Sequence, residues 1–483
     1  MKRLLMVCAA VGGTLAAGAL DLAAWRGETV SAWLPAGERV GAAPAGFTVK
    51  VGVARDVKYA PQPKAAERLT GKDRIERNSG AEGPKVVQVQ VPPDAKPGRY
   101  AIGDVSVRVV DRVLPPAKDW RYYLDLWQHP WAVARTAGAK PFSKEHYAAM
   151  APLWKLLASA GQETLPTTLV DLPWNHQCHD GYGAMVKYVR RADGTTAFDW
   201  SPFDDYVAFG RACGLGPHIA CYTMCPWGYL VSWYDEAGTM QKAKAVPGTP
   251  FFKEYWGPFL TAFAAHLKEK GWFEDVYISL DERSPEDLRN TVDFLREKAP
   301  GLKIAMAGNR KPSEFRGIVV DSYSQSLGHV TPDFLAEVPQ RQKEGKVTTY
   351  YICCGPGKPN TFMDSELDEA FWCGAYSAMC GLDGLLRWAY NSWPADACAD
   401  ASYGSWRAGD TFLVYPDGSP SARFLELLNG IQQAEKFNLL KAQGVRTGEL
   451  AALAAKYDLK AALSKKDGDF RDLVKLTKDV LNK

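Results

Sequence analysis

The stretch Val276-Tyr277-Ile278-Ser279-Leu280-Asp281-Glu282-Arg283-Ser284-Pro285-Glu286-Asp287 decides how this chain is read. Its first five residues make a short, nearly continuous apolar run, the pattern of a strand buried on both faces of a parallel sheet. Two adjacent acids follow at once. Ser284 then has the place of a helix N-cap and Pro285 that of the first helical residue. Glu286 and Asp287 are therefore ordinary first-turn acids that answer the helix dipole. Asp281 and Glu282 fall before the helix, on the strand-to-helix corner. In a β/α barrel that corner opens into the active-site mouth.

Outward from this segment the same grammar repeats. Strand-like runs are expected at 122–126, 167–170, 218–222, 275–280, 303–307, 317–321, 347–352 and 384–388. Helical stretches at 145–160, 203–213, 255–270, 286–298 and 364–379 lie between them. Alternation of this kind over roughly 300 residues fits a (β/α)8 TIM-like barrel. A doubly wound open sheet is the rival, but no glycine-rich dinucleotide loop follows the first strand. Upstream, residues 24–115 read as a small β-sandwich. Its runs at 47–53, 86–91 and 100–110 are broken by turns such as Pro92-Pro93-Asp94 and Lys96-Pro97-Gly98. Pro115-Pro116 is the linker into the barrel stretch, 116–400. Residues 401–443 then hold an extra strand at 411–415 and a helix at 424–440 packing back on the body, and 444–483 an amphipathic helical tail.

Composition excludes several classes. The chain has 483 residues, 46% hydrophobic and 23% charged, with a net charge of +3, and no basic stripe of the nucleic-acid-binding kind. Sixteen Trp and 21 Tyr are the unusual counts. Most should pack the core, and the excess points toward sugar rings, whose apolar faces lie on aromatic planes. Lys2 and Arg3 precede an apolar, Ala- and Gly-rich run, so residues 1–23 read as a signal peptide cleaved between about Ala19 and Ala24. Gly12, Gly13 and Gly18 make that run a poor membrane span. The expectation is export to the periplasm or cell surface, without stable membrane insertion. Ten cysteines show no zinc-ribbon spacing. Cys353 and Cys354 read as a small buried pair, and His176, Cys178 and His179 as loop residues, not a metal site.

Mechanism narrows the role of the acid pair. Glycosidases ordinarily flank the scissile bond with two carboxyl groups about 5 to 9.5 Å apart. Two neighbouring acids at a turning strand end instead face the substrate from one side. That suits a substrate whose own 2-acetamido oxygen is the nucleophile. Glu282, with the longer reach, is then the general acid/base, and Asp281 orients the acetamide N–H. No cofactor or metal is required.

Several further stretches carry a resemblance: Leu126-Trp127-Gln128-His129-Pro130, Pro173-Trp174, Cys221-Tyr222-Thr223-Met224-Cys225-Pro226-Trp227, Leu280-Asp281-Glu282-Arg283, Thr348-Thr349-Tyr350-Tyr351 through Pro359-Asn360-Thr361-Phe362, Leu386-Arg387-Trp388-Ala389-Tyr390-Asn391-Ser392-Trp393, Ala408-Gly409-Asp410 and Val414-Tyr415-Pro416. Over about 119–437 the chain resembles the catalytic region of glycoside hydrolase family 123, especially a bacterial subgroup described as a domain of unknown function. The resemblance implies an exo-acting, configuration-retaining β-N-acetylgalactosaminidase whose Asp-Glu pair falls on Asp281 and Glu282. Two departures stand out: a short N-terminal β-region, and Arg283 where many members have Pro. A glycosidase on another N-acetylated sugar and an inactive glycan-binding barrel are the alternatives. Trp388 is the first candidate for sugar stacking, with Trp127, Trp174 and Trp227 also following strands. Tyr323 or Tyr351 are candidates for the acetamide carbonyl, Arg387 and Asn391 for sugar hydroxyls, Asp410 for an axial hydroxyl, and His129 for a ligand contact. The expected partner is a glycan or glycoconjugate.

Overall fold

The computed structural model describes residues 20–77, 82–315, 317–464 and 469–483, so most of the expected targeting segment, at 1–19, lies outside the described residues. By contacts the chain forms two compact units. One comprises Ala117–Gly357 with Cys380–Ala395. The other gathers the described residues of Met1–Pro116 with Lys358–Met379 and Asp396–Lys483. The segment Lys358–Met379, placed in the barrel stretch by reading in chain order, clusters with the second of these.

The unit built on Ala117–Gly357 is a barrel of eight parallel strands. In chain order they are Tyr123–Leu126, Thr164–Thr168, His218–Tyr222, Val276–Leu280, Lys303–Gly308, Ser322–Ser326, Val347–Ile352 and Gly384–Arg387. Each pairs with its neighbours in sequence order, and the eighth returns to the first. A single bridge between Leu124 and Gln162 joins the first strand to the start of the second. Register fixes which side chains face inward. Ser279 is level with Tyr222 and Ala305, and Ser324 with Ala307 and Thr349. Leu386 is level with Tyr351 and Asp125. The lumen mixes Ser, Thr and Ala with Tyr123, Tyr222 and Tyr277, in place of the usual packing of branched aliphatics. It leaves a cavity of about 20 Å³ among Asp125, Tyr222, Ser279, Ser324 and Thr349.

That polar lumen explains one correction. The sixth strand is Ser322–Ser326, not the more apolar run at 317–321. Its inward positions are serines, so it carries no hydrophobic signature. The second strand likewise begins earlier, at Thr164. A further sheet was not expected: Thr196–Asp199, Lys187–Arg190, Leu230–Tyr234 and Met240–Lys244 pair in that order. It is built from the excursions after the second and third barrel strands, on the mouth side of the barrel.

In the other unit, Leu20–Arg26, Val105–Val113 and Gly98–Ile102 form one sheet; Thr29–Leu34, Lys85–Gln90, Thr48–Tyr59 and Leu69–Arg77 form a second. Ala24, Val87, Val89, Ile102 and Val107 share one core between them, which makes a β-sandwich. The run at 100–110 is two strands of a hairpin that turns at Gly103, whose φ of 69° suits glycine. No strand forms at 411–415, where Val414 makes only an isolated bridge to Pro420. Helix Ala422–Ala442 crosses the helix begun at Leu367 so closely that a Cβ on Gly430 would lie 2.1 Å from the Phe371 carbonyl oxygen. The tail is three short helices, Thr447–Ala454, Leu459–Ser464 and Asp469–Leu481.

Candidate active site

The corner after the fourth barrel strand is three residues long. Val276–Leu280 is buried throughout, and helix Pro285–Lys298 starts under its cap, Ser284 Oγ accepting the Asp287 N–H at 3.1 Å. Asp281, Glu282 and Arg283 must therefore turn within the mouth. Asp281 is half-buried and Glu282 exposed. The Asp281 carboxylate accepts the Glu282 N–H on Oδ1 at 2.9 Å and the Trp227 indole N–H on Oδ2 at 3.1 Å. Trp227 follows the third strand and is itself covered by the Arg283 guanidinium, 5.6 Å from the ring centre. Glu282 Oε1 accepts the Tyr351 hydroxyl from the end of the seventh strand. Two carboxylates, an indole and a phenol from three strand ends thus meet at one point.

Desolvation pushes the Asp281 carboxyl up to about 6, with the Glu282 charge adding to the rise, while the Glu282 N–H, Arg283 and Trp227 pull it down. The stability consequence has a definite sign. A carboxyl harder to ionise in the folded state than in the unfolded chain makes the fold lose stability as pH rises through that window. Asp281→Asn removes this cost. Its melting temperature is expected to exceed wild type at pH 7.5 and to match it at pH 4. A variant that melts lower at both values would remove the strain assigned to Asp281.

Other expected residues fall into distinct positions. Trp127 and Trp174 stack at 4.9 Å, and both lean on Tyr222 at 4.8 and 4.7 Å. Together they form an aromatic wall from the ends of the first three strands. Trp388 follows the eighth strand on the inward register of Leu386, nearly buried. Arg387 takes the opposite register, level with Leu126, and is fully buried. Tyr323 is level with Met306 and Thr348, and its hydroxyl donates to the Arg310 carbonyl. His129 and Asn391 hold each other: Asn391 accepts the His129 N–H at 2.8 Å and donates to its carbonyl at 3.1 Å. The His129 ring caps helix Pro130–Ala137 and stacks on Tyr182 at 3.8 Å; burial lowers its pKa to about 3, so it stays neutral. Asp410 belongs to the sandwich-containing unit, buried in a turn closed by its N–H on the Arg407 carbonyl. Cys353 is half-buried and Cys354 exposed, so the two are not a buried pair. Among the described residues no group of His, Cys, Asp and Glu is arranged to hold a metal ion. No described helix is long and apolar enough to cross a membrane.

Asp171 accepts the Ala184 N–H and the Ser232 hydroxyl, and Asp180 pairs with Arg135 at 2.7 Å. Asp125 was missed in the sequence, being embedded in the buried strand Tyr-Leu-Asp-Leu. The signal was its alternation with Tyr123 and Trp127, which puts all three on one face.

An eight-stranded β/α barrel with paired acids at the end of its fourth strand has the layout of a glycoside hydrolase. The family model for the catalytic domain of glycoside hydrolase 123 matches residues 127–440, and the chain belongs to that family. Among solved structures it is similar to a family 123 glycoside hydrolase from Clostridium perfringens, with a TM-score of 0.83 and 23% identity over 96% of this chain and 93% of that one. A family 39 enzyme from Xanthomonas axonopodis pv. citri gives a TM-score of 0.40 at 10% identity over 68% of each chain. No curated protein matches in sequence.

Proposed function

We propose that this enzyme removes terminal β-linked N-acetylgalactosamine by a retaining mechanism in which the substrate's 2-acetamido oxygen is the nucleophile. The observation that supports this reading is the meeting of the adjacent Asp281 and Glu282 with Trp227 and Tyr351 at one strand-to-helix corner, while Asp171 and Asp180 each bond elsewhere. A retaining enzyme with its own nucleophile needs a second carboxylate across the scissile bond, about 5 to 5.5 Å from the first. Glu282 protonates the leaving oxygen and later activates water. Asp281, ionised and held by Trp227, accepts the acetamide N–H and steadies the cyclic cation. The Clostridium perfringens relative is described in terms of glycolipid glycan hydrolysis, and a glycolipid headgroup is the aglycone we propose here too.

The test is turnover of 4-nitrophenyl β-N-acetylgalactosaminide beside the β-N-acetylglucosaminide and the β-galactoside. Cleavage of the first above the second, with the galactoside inert, is the expected result. A galactoside cleaved as fast as its acetamido counterpart would overturn the neighbouring-group mechanism.

We also propose that the chain is exported and processed at its N-terminus. Strand Leu20–Arg26 pairs in register with Val105–Val113 from Leu20 onward. Processing that spares this strand leaves a mature N-terminus at or before Leu20, which N-terminal sequencing of the secreted form reads directly. A terminus at Ala24 would mean the strand is dispensable.

A further inference from the structure

We propose that Asp125 is a positioning residue for this reaction: its carboxylate, one inward step below Trp127, fixes that indole and with it the aromatic wall of Trp127, Trp174 and Tyr222 at the barrel mouth. The proposal rests on the reading above only in taking the mouth as the place of catalysis. Asp125 is 7% exposed and is the one charged side chain lining the lumen cavity. Its Oδ1 has no protein partner, and neither has Ser324 Oγ on the same cavity. About 20 Å³ is room for a single water, which those two atoms would hold. A lone buried carboxylate is costly, and native folds rarely keep one without a task.

Trp127 is what the carboxylate can act on. Its backbone is already pinned, the N–H on the Arg387 carbonyl at 3.1 Å and the carbonyl receiving the Tyr390 N–H at 2.8 Å. Only the orientation of the indole is left to fix. The indole nitrogen and Asp125 Oδ1 are both buried without a hydrogen-bond partner, and the indole N–H is the one group that pulls the carboxyl's pKa down. Burial pushes Asp125 up to about 7. Ionised, it is a strong acceptor for the indole N–H; protonated, a weak one. The titratable groups facing it are the hydroxyls of Tyr123, Tyr222 and Tyr277, all pushed up by burial, and no Lys, Arg or His lines the cavity. Asp281 acts on the same Tyr222 hydroxyl.

Two variants separate positioning from mere packing. Asp125→Asn keeps a carbonyl acceptor but cannot ionise; Asp125→Leu keeps the volume and loses the acceptor. In wild type, the acid limb of the kcat/KM profile is expected to rise with pH through two ionisations, near the values of Asp281 and Asp125. Asp125→Asn, a weak acceptor at every pH, should keep only the lower activity of the protonated form with the upper ionisation gone, while Asp125→Leu falls by about 10²-fold. An independent readout needs no substrate: ¹⁹F NMR of the whole chain labelled with 5-fluorotryptophan, the Trp127 resonance assigned with Trp127→Phe. That resonance should shift with a midpoint near 7 in wild type and stay flat in Asp125→Asn. Glu163, also pushed to about 7 but placed before the second strand at the far end of the barrel, supplies the control, since Glu163→Gln should leave the shift intact. A Trp127 resonance indifferent to pH in wild type, or equally titrating in Asp125→Asn, overturns the proposal. If the resonance behaves as expected while no hexosaminide is cleaved, the coupling stands and the assigned reaction falls.

Discussion

Glu282→Gln is expected to lower kcat on 4-nitrophenyl β-N-acetylgalactosaminide by about 10²- to 10⁴-fold, the usual worth of a positioned general acid/base. The amide preserves shape and still accepts the Tyr351 hydroxyl, so the fold and KM should change little. What is lost is a proton to give. The loss must therefore depend on the leaving group. A 2,4-dinitrophenolate departs without protonation, so the deficit on that substrate should shrink in the first, bond-breaking step. Asp281→Asn should differ in kind: its loss persists whatever the leaving group, because the acetamide N–H no longer meets a charge. Equal deficits for Glu282→Gln on both leaving groups would sink the acid/base role. A deficit in Asp281→Asn that vanished with dinitrophenolate would exchange the two assignments.

The pH profile follows from the same division of labour. Asp281 must be ionised to hold the acetamide, and its carboxyl is pushed up to about 6. Activity is therefore lost on the acid side of that value. The shift that makes Asp281 sensitive also strains the fold at neutral pH, an arrangement common where activity opposes stability.

The parts of this architecture that were legible in the sequence share one property: their packing partners are apolar. The third and seventh strands, His218–Tyr222 and Val347–Ile352, fall where expected because β-branched, aliphatic and aromatic residues make up most of them. The fourth strand and its capped helix were legible from the apolar run and from Ser284-Pro285. The sixth strand was misplaced because Ser322, Ser324 and Ser326 face a lumen that tolerates hydroxyls. The four-stranded sheet at the mouth was invisible for a related reason: Met240–Lys244 is nearly all exposed and its sequence carries no alternation. Residue type and position together singled out Asp281, Glu282, Trp227 and Tyr351, side chains that the structure joins by hydrogen bonds. Type alone did not reveal that the Asn391 amide holds the His129 backbone, because the two lie 262 residues apart in sequence.

The largest stability effect is expected far along the chain from the acids, in the sandwich-containing unit, at Glu28 and Lys436. Their side chains pair at 2.6 Å with essentially no exposure. The pair is well supported. Glu28 also accepts the Trp25 N–H at 2.7 Å and the Gln433 amide at 3.2 Å, and Lys436 donates to Asn482 at 2.7 Å. Next to it, helix Ala422–Ala442 closes the edge of strand Thr29–Leu34 with side chains: Gln432 bonds both the N–H and carbonyl of Thr29, and Asn429 those of Ser31. The Trp25 indole reaches the Leu481 carbonyl at 3.0 Å, tying in the final helix. One buried charge pair thus sits where the first strand, the long helix and the C-terminal helix meet. Burial lowers the Lys436 pKa and the Glu28 carboxylate works against that fall, so removing Glu28 strands an ammonium in the core. Glu28→Gln and Lys436→Met should each cost about 3–5 kcal/mol, since either leaves the partner buried and unpaired. The double variant should cost far less than the sum, because neither charge then needs a partner. Chemical denaturation of the four proteins measures this directly. Additive single losses would mean that the two charges do not sustain each other, and that the hydrogen bonds around them hold the three segments together.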